Sequence, residues 1–239
     1  MTFTMLNNAV MARISIIIPT LNAAALLHRS LPPLAEFGAL DLIREVIVAD
    51  GGSADGTAAI AEAAGARFVT AEKGRGAQLA AGAEAARGEW LLFLHADTVL
   101  QSGWDKAVRN FIGVEDNSRR AGYFRLALDD PRFGARRIAW LANMRARILG
   151  LPYGDQGLLI SRGFYRQIGG FRPLALMEDV DLARRIGPGR LRMLKATAVT
   201  SAERYRRGGF WLRPIRNQLC LLLWFLGVPS KAIMRIYYR

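Results

Sequence analysis

Acidic residues at the ends of predicted strands are the side chains of this chain best placed to do chemistry. Asp50 and Asp97 each follow an apolar run of the kind that forms a strand buried on both faces, and Glu178 and Asp179 open a predicted helix. In an open α/β sheet, ligands bind at the edge where the strands end. A carboxylate at that edge can hold a hard metal ion against a diphosphate. The pattern therefore indicates a metal and diphosphate site at one sheet edge.

Two loops at the same predicted edge carry groups that suit a nucleotide. Asp50 lies in a turn rich in Gly and Asp, where side-chain and backbone groups can reach a base or a ribose. Lys73 and Arg75 lie in the next loop, where they can contact phosphates. Each segment taken alone is equally typical of an ordinary turn or a solvated loop. Only their occurrence together, beside Asp97, favours a nucleotide site.

The elements that must position these groups alternate between strand and helix from residue 13 to residue 97. Predicted strands cover residues 13–18, 43–49, 66–70 and 90–94. Predicted helices cover residues 23–37, 57–64 and 77–86. Pro32 and Pro33 must interrupt or restart the first helix. Such alternation predicts a parallel sheet with right-handed crossover connections.

The alternation breaks after residue 98, which indicates a second kind of architecture on the same sheet. Further helices are predicted over residues 101–112, 133–149, 162–168 and 177–186, and further strands over residues 122–128, 158–161 and 190–194. We expect a single α/β domain over 13–200, with a nucleotide-binding half at 13–98 and an acceptor half at 99–200. Residues 1–12 are expected to form a loosely ordered leader, and 201–239 a basic and apolar C-terminal helical segment.

Composition indicates an anionic partner and a reducing compartment. The 239 residues carry a net charge of +13, which suits nucleotide phosphates, nucleic acid or anionic lipid. No nucleic-acid recognition module is readable, so no specific nucleic acid is expected. Cys220 is the single cysteine, so a disulfide framework is excluded and a cytoplasmic location is expected. The apolar run over 219–228 is too short to span a bilayer.

Five motifs in order resemble one enzyme family. They read SIIIPTLN at 15–22, VADGGSADGT at 48–57, GRG at 74–76, FLHAD at 93–97 and EDVDL at 178–182. Together they resemble a family 2 glycosyltransferase with a GT-A type, Rossmann-like fold and a mixed, mainly parallel sheet, over about residues 13–187. The HADT form, with YGDQG at 153–157 and SAERY at 201–205, is most similar to the bacterial subgroup of radical-SAM/selenodomain-associated transferases.

For the donor side, the resemblance implies a nucleoside-diphosphate sugar, with a UDP-sugar favoured. The segment that holds Pro19, Thr20 and Asn22 would border the nucleotide pocket, and Asp50 would bind the nucleobase. Asp97 matches the last Asp of the family's DXD motif and would ligate Mg²⁺ or Mn²⁺ at the diphosphate. His95 replaces the first Asp of that motif, which removes a negative charge. As a neutral imidazole it could bond a ribose hydroxyl or ligate the metal itself.

For the acceptor side, the resemblance implies an inverting transfer. Asp179 matches the family's catalytic base and would remove the proton of the attacking hydroxyl. Glu178 would orient or bind the acceptor. Asp155 and Gln156 could line the acceptor site, or they could form an ordinary turn. The acceptor itself is not readable from the sequence.

The C-terminal segment admits three interpretations. Arginines 204, 206, 207, 213 and 216 precede a Leu-rich run with Trp224 and Phe225, and Lys231 and Arg235 follow it. Basic residues around an apolar helix suit a peripheral contact of 204–239 with an anionic membrane, which would favour a lipid-linked acceptor. Alternatively, the helix packs on the domain or on the partner of a homodimer. In a third interpretation, Arg204–Arg207 forms a lid over the diphosphate.

Two other functions remain open at this point. A sugar-nucleotide-forming nucleotidyltransferase has a similar core, but it normally needs a Gly-rich loop after the first strand. Residues 19–23 contain no Gly, which counts against it. A non-catalytic scaffold that binds a nucleotide or a membrane is disfavoured by the presence of Asp97 and Asp179.

Overall fold

The computed structural model describes residues 13–35 and 41–237. Within these residues the chain forms an eight-stranded sheet covered by helices on both faces. The predicted leader over 1–12 and the predicted end of the first helix at Phe37 lie outside the described residues.

The strands and helices follow the predicted order closely in the first half of the chain. The strands are β1 (Ile14–Thr20), β2 (Ile43–Asp50), β3 (Arg67–Thr70), β4 (Trp90–Phe93), β5 (Thr98–Leu100), β6 (Ala121–Leu128), β7 (Leu158–Ser161) and β8 (Leu191–Thr200). The helices are α1 (Ala24–Ser30), α2 (Pro32–Ala35), α3 (Thr57–Ala63), α4 (Arg75–Ala85), α5 (Trp104–Ile112), α6 (Phe133–Leu149), α7 (Arg162–Gln167), α8 (Glu178–Ile186), α9 (Glu203–Gly208), α10 (Leu212–Phe225) and α11 (Ser230–Tyr237).

The sheet is mixed and mainly parallel, as predicted. Its order is β3-β2-β1-β4-β7-β6-β8-β5. Strands β1 to β4 pair in parallel, and so do β6 and β8. Strand β7 runs antiparallel to both of its neighbours, and the edge strand β5 runs antiparallel to β8. The carboxyl ends of β1, β2 and β4 therefore lie side by side, which brings the loops after Thr20, Asp50 and Phe93 to one edge.

The core forms on both faces of the central strands. Side chains of β1 alternate between two apolar clusters: Ile16 and Ile18 face one cluster, and Ile17 faces the other. All three are at most 1% exposed. Burial on both faces explains why these strands read as continuous apolar runs in the sequence.

Two features of the second half differ from the predictions. The predicted strand over 190–194 continues to Thr200, because its polar second half pairs with β6 on one side and β5 on the other. The short strand β5 was not predicted. Its three residues and the Lys-Ala-Thr-Ala-Val-Thr segment of β8 have little apolar patterning, so only their partners define them as strands.

The C-terminal helices pack against the domain. Cys220, Leu221 and Ile233 are at most 6% exposed and belong to the second apolar cluster. The opposite side of α10 is exposed. Within residues 13–35 and 41–237, no helix combines the length and the apolar character that crossing a membrane requires.

Candidate active site

The turn after β2 is built around the Asp50 carboxylate. Its Oδ1 accepts hydrogen bonds from Thr20 Oγ1 at 2.8 Å and Ser53 Oγ at 2.5 Å, and its Oδ2 accepts from the backbone N–H groups of Gly52 at 2.9 Å and Ser53 at 2.7 Å. Burial raises the pKa of Asp50, but the hydrogen bonds from Ser53, Thr20 and Gly52 outweigh burial and leave the pKa below its ordinary value. Asp50 is therefore an ionised group that shapes the turn, with its four acceptor positions filled.

Two further side chains tie this turn to the end of β1. Asn22 adopts a left-handed backbone with φ of 51°, and its Oδ1 accepts from Ala54 N at 2.9 Å. Gln78 on α4 is buried, and its amide donates to the carbonyl groups of Thr20 and Ala49. Gln78 thus locks the carboxyl ends of β1 and β2 together. Nothing in the Ala-rich sequence of α4 marks this role.

A cleft of about 760 Å³ opens beside these turns. Its walls include Pro19 and Thr20 from the end of β1, Lys73 and Arg75 from the loop before α4, and His95 and Asp97 after β4. Arg204 from α9 and Lys231 and Arg235 from α11 close it from the other side. The cleft is strongly basic, so it suits a ligand that carries phosphates. Asp50 and Asn22 are not among the residues that line the cleft, and the predicted nucleobase contact of Asp50 stays a prediction.

A second, smaller cavity of about 100 Å³ adjoins the cleft. Its carboxylates are Asp97, Asp155, Glu178 and Asp179. The two cavities share one wall, which consists of Arg75, His95, Asp97 and Arg204. A diphosphate in the cleft would therefore lie next to a chamber that contains several carboxylates.

Asp97 has the features of a metal ligand. Its Oδ1 is buried and makes no hydrogen bond within the described part of the chain, and it lies 4.0 Å from His95 Nδ1. Burial raises the pKa of Asp97, and the positive charges of Arg204 and Arg75 partly offset this effect. An orphaned buried carboxylate oxygen is costly unless a proton, water or cation satisfies it. Carboxylate oxygen suits Mg²⁺ and Mn²⁺, so the residues present fit a divalent cation.

The protein supplies only part of such a coordination sphere. Among the described residues, no group of three or more His, Cys, Asp or Glu side chains is arranged to hold a metal ion. Mg²⁺ is commonly bound by one or two carboxylates together with substrate phosphates and water. The arrangement at Asp97 therefore fits a cation whose coordination sphere is completed by a diphosphate ligand.

His95 is held as a neutral ring. Burial lowers its pKa well below the ordinary value, and the nearby charges of Arg75 and Arg204 lower it further. Arg75 Nη1 lies 3.5 Å from His95 Nε2, so the neutral ring can accept a hydrogen bond there. Gly154 packs against the same edge of the ring, where a Cβ would almost overlap Nε2. His95 therefore adds no charge beside Asp97.

Glu178 pairs with the loop that carries Arg75. Arg75 Nε lies 3.3 Å from Glu178 Oε1, and the Glu178 side chain is 2% exposed. Burial raises the pKa of Glu178 to about 7, and the charge of Arg75 only partly offsets this. The preceding residue, Met177, has a left-handed backbone with φ of 69°, which is uncommon for a residue with a side chain. This turn lets α8 begin at Glu178, directly at the cavity.

Asp179 is fixed but retains free acceptor positions. Its Oδ2 accepts from Gly154 N at 2.9 Å, and its Oδ1 accepts from Val180 N at 2.7 Å. Each carboxylate oxygen has a second acceptor position. Asp179 lines the small cavity and can therefore accept a proton from a group bound there.

The two residues predicted on the acceptor side separate in the structure. Asp155 lines the small cavity, and burial raises its pKa to about 6. Gln156 lies in the core instead of the cavity: it is fully buried, and its amide donates to Phe124 O at 3.2 Å and to Asn143 Oδ1 at 3.3 Å. The turn points the Gln156 side chain toward β6 and α6, so it does not line the small cavity, and its contact with an acceptor stays a prediction.

Helix α9 contributes to the site through one of its arginines. Arg206 lies 3.3 Å from both Asp129 and Asp130, and Arg207 lies 2.6 Å from Glu203. The Arg206 pairs fix the helix at the end of β6, the Arg207 pair lies within the helix, and Arg204 lines both cavities. Of the four residues in the proposed lid over Arg204–Arg207, Arg204 faces the site and Arg206 anchors the helix, and the lid stays a prediction.

Comparison with known proteins agrees with this architecture. The mannosyltransferase PcManGT from Pyrobaculum calidifontis, in complex with GDP-Man and Mn²⁺, gives a TM-score of 0.63 at 19% identity, with 88% of this chain and 61% of that chain covered. S. aureus TarS 1-349 in complex with UDP-GlcNAc gives 0.60 at 18% identity, covering 79% and 58%.

A third structure is glucosyl-3-phosphoglycerate synthase from Mycobacterium tuberculosis in complex with Mn²⁺, UDP and glucosyl-3-phosphoglycerate. It gives a TM-score of 0.56 at 22% identity, covering 91% of this chain and 81% of that chain. The chain spans only 39% of another S. aureus TarS chain. At these identities the likeness establishes the fold. No curated protein sequence matches the chain significantly.

The family itself is established by sequence. Residues 15–157, more than half of the chain, match the model for glycosyl transferase family 2. The matched region contains the turn at Asp50, the loop at Arg75 and the metal-ligand candidate Asp97. The chain therefore belongs to glycosyltransferase family 2.

Proposed function

We propose that the chain is an inverting glycosyltransferase that moves a sugar from a nucleoside-diphosphate sugar to an acceptor hydroxyl. The observation that carries the proposal is the wall shared by the two cavities. Arg75, His95, Asp97 and Arg204 border both the basic cleft and the chamber that contains Asp179. A donor in the cleft would place its diphosphate at this wall and its sugar toward Asp179. A UDP-sugar is favoured, in line with the UDP-GlcNAc and UDP held by two of the compared structures.

A divalent cation, Mn²⁺ or Mg²⁺, would be held by Asp97, with His95 beside it, and would supply positive charge to the leaving diphosphate. Arg75 and Arg204 add fixed positive charge on the same side. Lys73 lines the outer part of the cleft, where it can contact phosphate. The hydrogen bonds among Asp50, Thr20 and Gln78 hold in place the turns after β1 and β2, which lie beside the cleft.

Asp179 would act as the general base. The acceptor oxygen forms a new bond to the anomeric carbon, the bond from that carbon to the diphosphate oxygen breaks, and the departing diphosphate takes the electron pair. Asp179 takes the proton of the acceptor hydroxyl. The base and the leaving group lie on opposite sides of the sugar, so the anomeric configuration inverts. Glu178 would hold Arg75, and Asp155 would face the acceptor.

The direct test of the base is an Asp179→Asn variant. It should bind nucleoside diphosphate as well as the wild type does and lose at least about a hundredfold in transfer rate. Asp116→Asn, an exposed carboxylate outside both cavities, is the control and should keep full activity. Wild-type activity of Asp179→Asn would contradict the assignment.

The subgroup that the HADT motif suggests has support from the position of its other motifs. Tyr153, Gly154 and Asp155 from one motif and Ser201, Arg204 and Tyr205 from the other line the same small cavity. A subgroup that shares these motifs would share one acceptor chamber.

Peripheral membrane contact is supported by the outer side of α10. Leu212, Ile215, Leu219 and Leu222 are 69%, 63%, 45% and 56% exposed. At helical spacing they form one apolar stripe along the helix, and Trp211 extends it toward α6, where Arg137 stacks on the indole at 3.3 Å. An apolar stripe on a chain of net charge +13 suits the surface of an anionic bilayer. A lipid-linked acceptor would then reach the chamber past α10.

Flotation with phosphatidylglycerol vesicles tests this contact. The double variant Leu212→Ser/Leu222→Ser should float less than the wild type, whereas Val114→Ser, also an exposed apolar residue at 49%, should float equally. Equal flotation by the double variant would contradict the membrane contact. A dimer that dissociates only in the double variant would instead assign the stripe to a homodimer.

A further inference from the structure

The small cavity is lined by two chemically different sets of side chains. One set consists of the carboxylates Asp97, Asp155, Glu178 and Asp179, with Arg75 beside Glu178. The other set consists of Arg213 and Asn217 of α10 together with Tyr205 and Tyr237. Among the arginines, Arg75, Arg145 and Arg204 have the largest charge effects on the carboxyl pKa values of Asp97, Asp155 and Glu178. Arg213 acts instead on Tyr205 and Cys220.

Arg213 lacks an anionic partner. Within residues 13–35 and 41–237, its guanidinium makes neither an ion pair nor a hydrogen bond, and its only contact of note is the Tyr237 ring, whose centroid lies 4.7 Å away. A stacked guanidinium keeps its planar donors available at the ring edge. Arg206 and Arg207 nearby are both paired with carboxylates. Arg213 is thus an arginine that lines a cavity with its donors available.

Two other residues of the same cavity add neutral hydrogen-bonding groups. The Asn217 Oδ1 and the Tyr153 hydroxyl are buried and make no hydrogen bond within the described residues. Buried polar atoms of this kind are usually satisfied by water or by a ligand. Both line the same cavity as Arg213. Besides its carboxylates, the cavity therefore offers a cation and several polar atoms that have no partner among the described residues.

We infer that the acceptor carries an oxyanion, a phosphate or a carboxylate, which binds at Arg213 while its hydroxyl group lies at Asp179. The inference rests on the proposed function, because it takes the small cavity as the acceptor site. Arginine recognises phosphate and carboxylate by paired, charge-assisted hydrogen bonds. The oxyanion would hold the acceptor at one end and leave the other end free to react. Arg213 is in this account a specificity-determining residue.

The test uses the full chain saturated with Mn²⁺ and with UDP or GDP, whichever binds. The filled donor cleft then cannot take a second phosphate. Calorimetric titration with glycerol 3-phosphate, glycerate and glycerol reports the acceptor end. We expect at least one of the two anions to bind and glycerol to bind at least tenfold more weakly. Arg213→Gln should lower the affinity for the anion about ten- to a hundredfold. Arg213→Lys should keep part of the affinity that Arg213→Gln loses.

The matched control is Arg216→Gln, which lies on the same helix but does not line the cavity. It should bind the anion as the wild type does. Equal anion affinity in Arg213→Gln and the wild type would overturn the inference, as would equal binding of glycerol and both anions. A protein that binds UDP with Mn²⁺ but no anion would overturn this inference alone, whereas failure to bind any nucleotide would overturn the proposed function.

Vesicles distinguish a lipid source of the oxyanion from a free one. The same nucleotide-saturated protein is titrated with phosphatidylglycerol and with phosphatidylcholine vesicles. If Arg213→Gln weakens binding to phosphatidylglycerol vesicles while Arg216→Gln does not, the oxyanion belongs to a lipid-linked acceptor. If only glycerol 3-phosphate or glycerate shows the Arg213 dependence, it belongs to a soluble one. If Arg213→Gln changes binding neither to the vesicles nor to the soluble anions, the inference is overturned.

Discussion

Replacing Gly154 by Ala tests how tightly Gly154 packs against the His95 ring at the candidate active site. The backbone of Gly154 lies outside the left-handed region, so alanine brings no backbone strain. Its Cβ would almost overlap His95 Nε2 and would lie 3.0 Å from Cε1 and 3.2 Å from Cδ2. Carbon contacts need about 3.5 Å, so the ring must move by about 1 Å. The same residue donates its N–H to Asp179, which ties the base to the disturbed segment.

A displacement of about 1 Å at a catalytic group costs on the order of a hundredfold in rate. We therefore expect Gly154→Ala to lose about a hundredfold in kcat/KM for Mn²⁺-dependent sugar-nucleotide hydrolysis, assayed by release of nucleoside diphosphate. Overpacking should cost about 1–3 kcal/mol of unfolding free energy, measured by urea denaturation.

The matched control for this variant is Gly163→Ala. A Cβ there meets nothing within 4 Å, and the residue lies in helix α7. The control should keep full activity and equal or higher stability. Wild-type kcat/KM in Gly154→Ala, at any stability, would refute the proposed coupling of Gly154, His95 and the reaction.

Three further predictions concern groups around the site. Gln78→Ala should lower the unfolding free energy by about 1–3 kcal/mol in urea, because it removes the buried hydrogen bonds from the Gln78 amide to the carbonyl groups of Thr20 and Ala49. Burial raises the pKa of Glu178 to about 7 from 4.5, so its contribution to stability is full below pH 4.5 and is lost as the pH rises through 7; Glu178→Gln should flatten this dependence in metal-free urea titrations. Lys231→Gln should weaken nucleoside-diphosphate binding several-fold by calorimetry, whereas the exposed Lys195→Gln should not.

The parts of the fold that follow from local pattern could be predicted from the sequence. Strands β1 and β4 are apolar throughout because helices cover both of their faces, and this leaves a readable run. The polar residues that follow such a run must lie at the sheet edge, so the place of Asp97 was readable as well. The second half of β8 was not readable, because Ala and Thr residues become a strand there only through pairing with β5 and β6.

The site was partly readable for a similar reason. Which way a turn residue points is decided by its packing, so Gln156 could not be told apart from Asp155 in the sequence. Arg204 and Lys231 reach the cleft only because α9 and α11 fold back across the sheet edge, more than 100 residues from Asp97 along the chain. The ion pairs of Arg206 that fix α9 likewise join residues far apart in sequence.

The measurement that tests the central claim most directly is nucleoside-diphosphate binding to the wild type and to Asp97→Asn, with and without Mn²⁺. The substitution keeps the shape of the side chain and removes its charge. The account predicts that Mn²⁺ tightens binding of UDP or GDP to the wild type by at least tenfold and has little effect on the variant, while both proteins unfold with similar free energy. An equal effect of Mn²⁺ on both proteins would contradict the placement of the metal and diphosphate at Asp97.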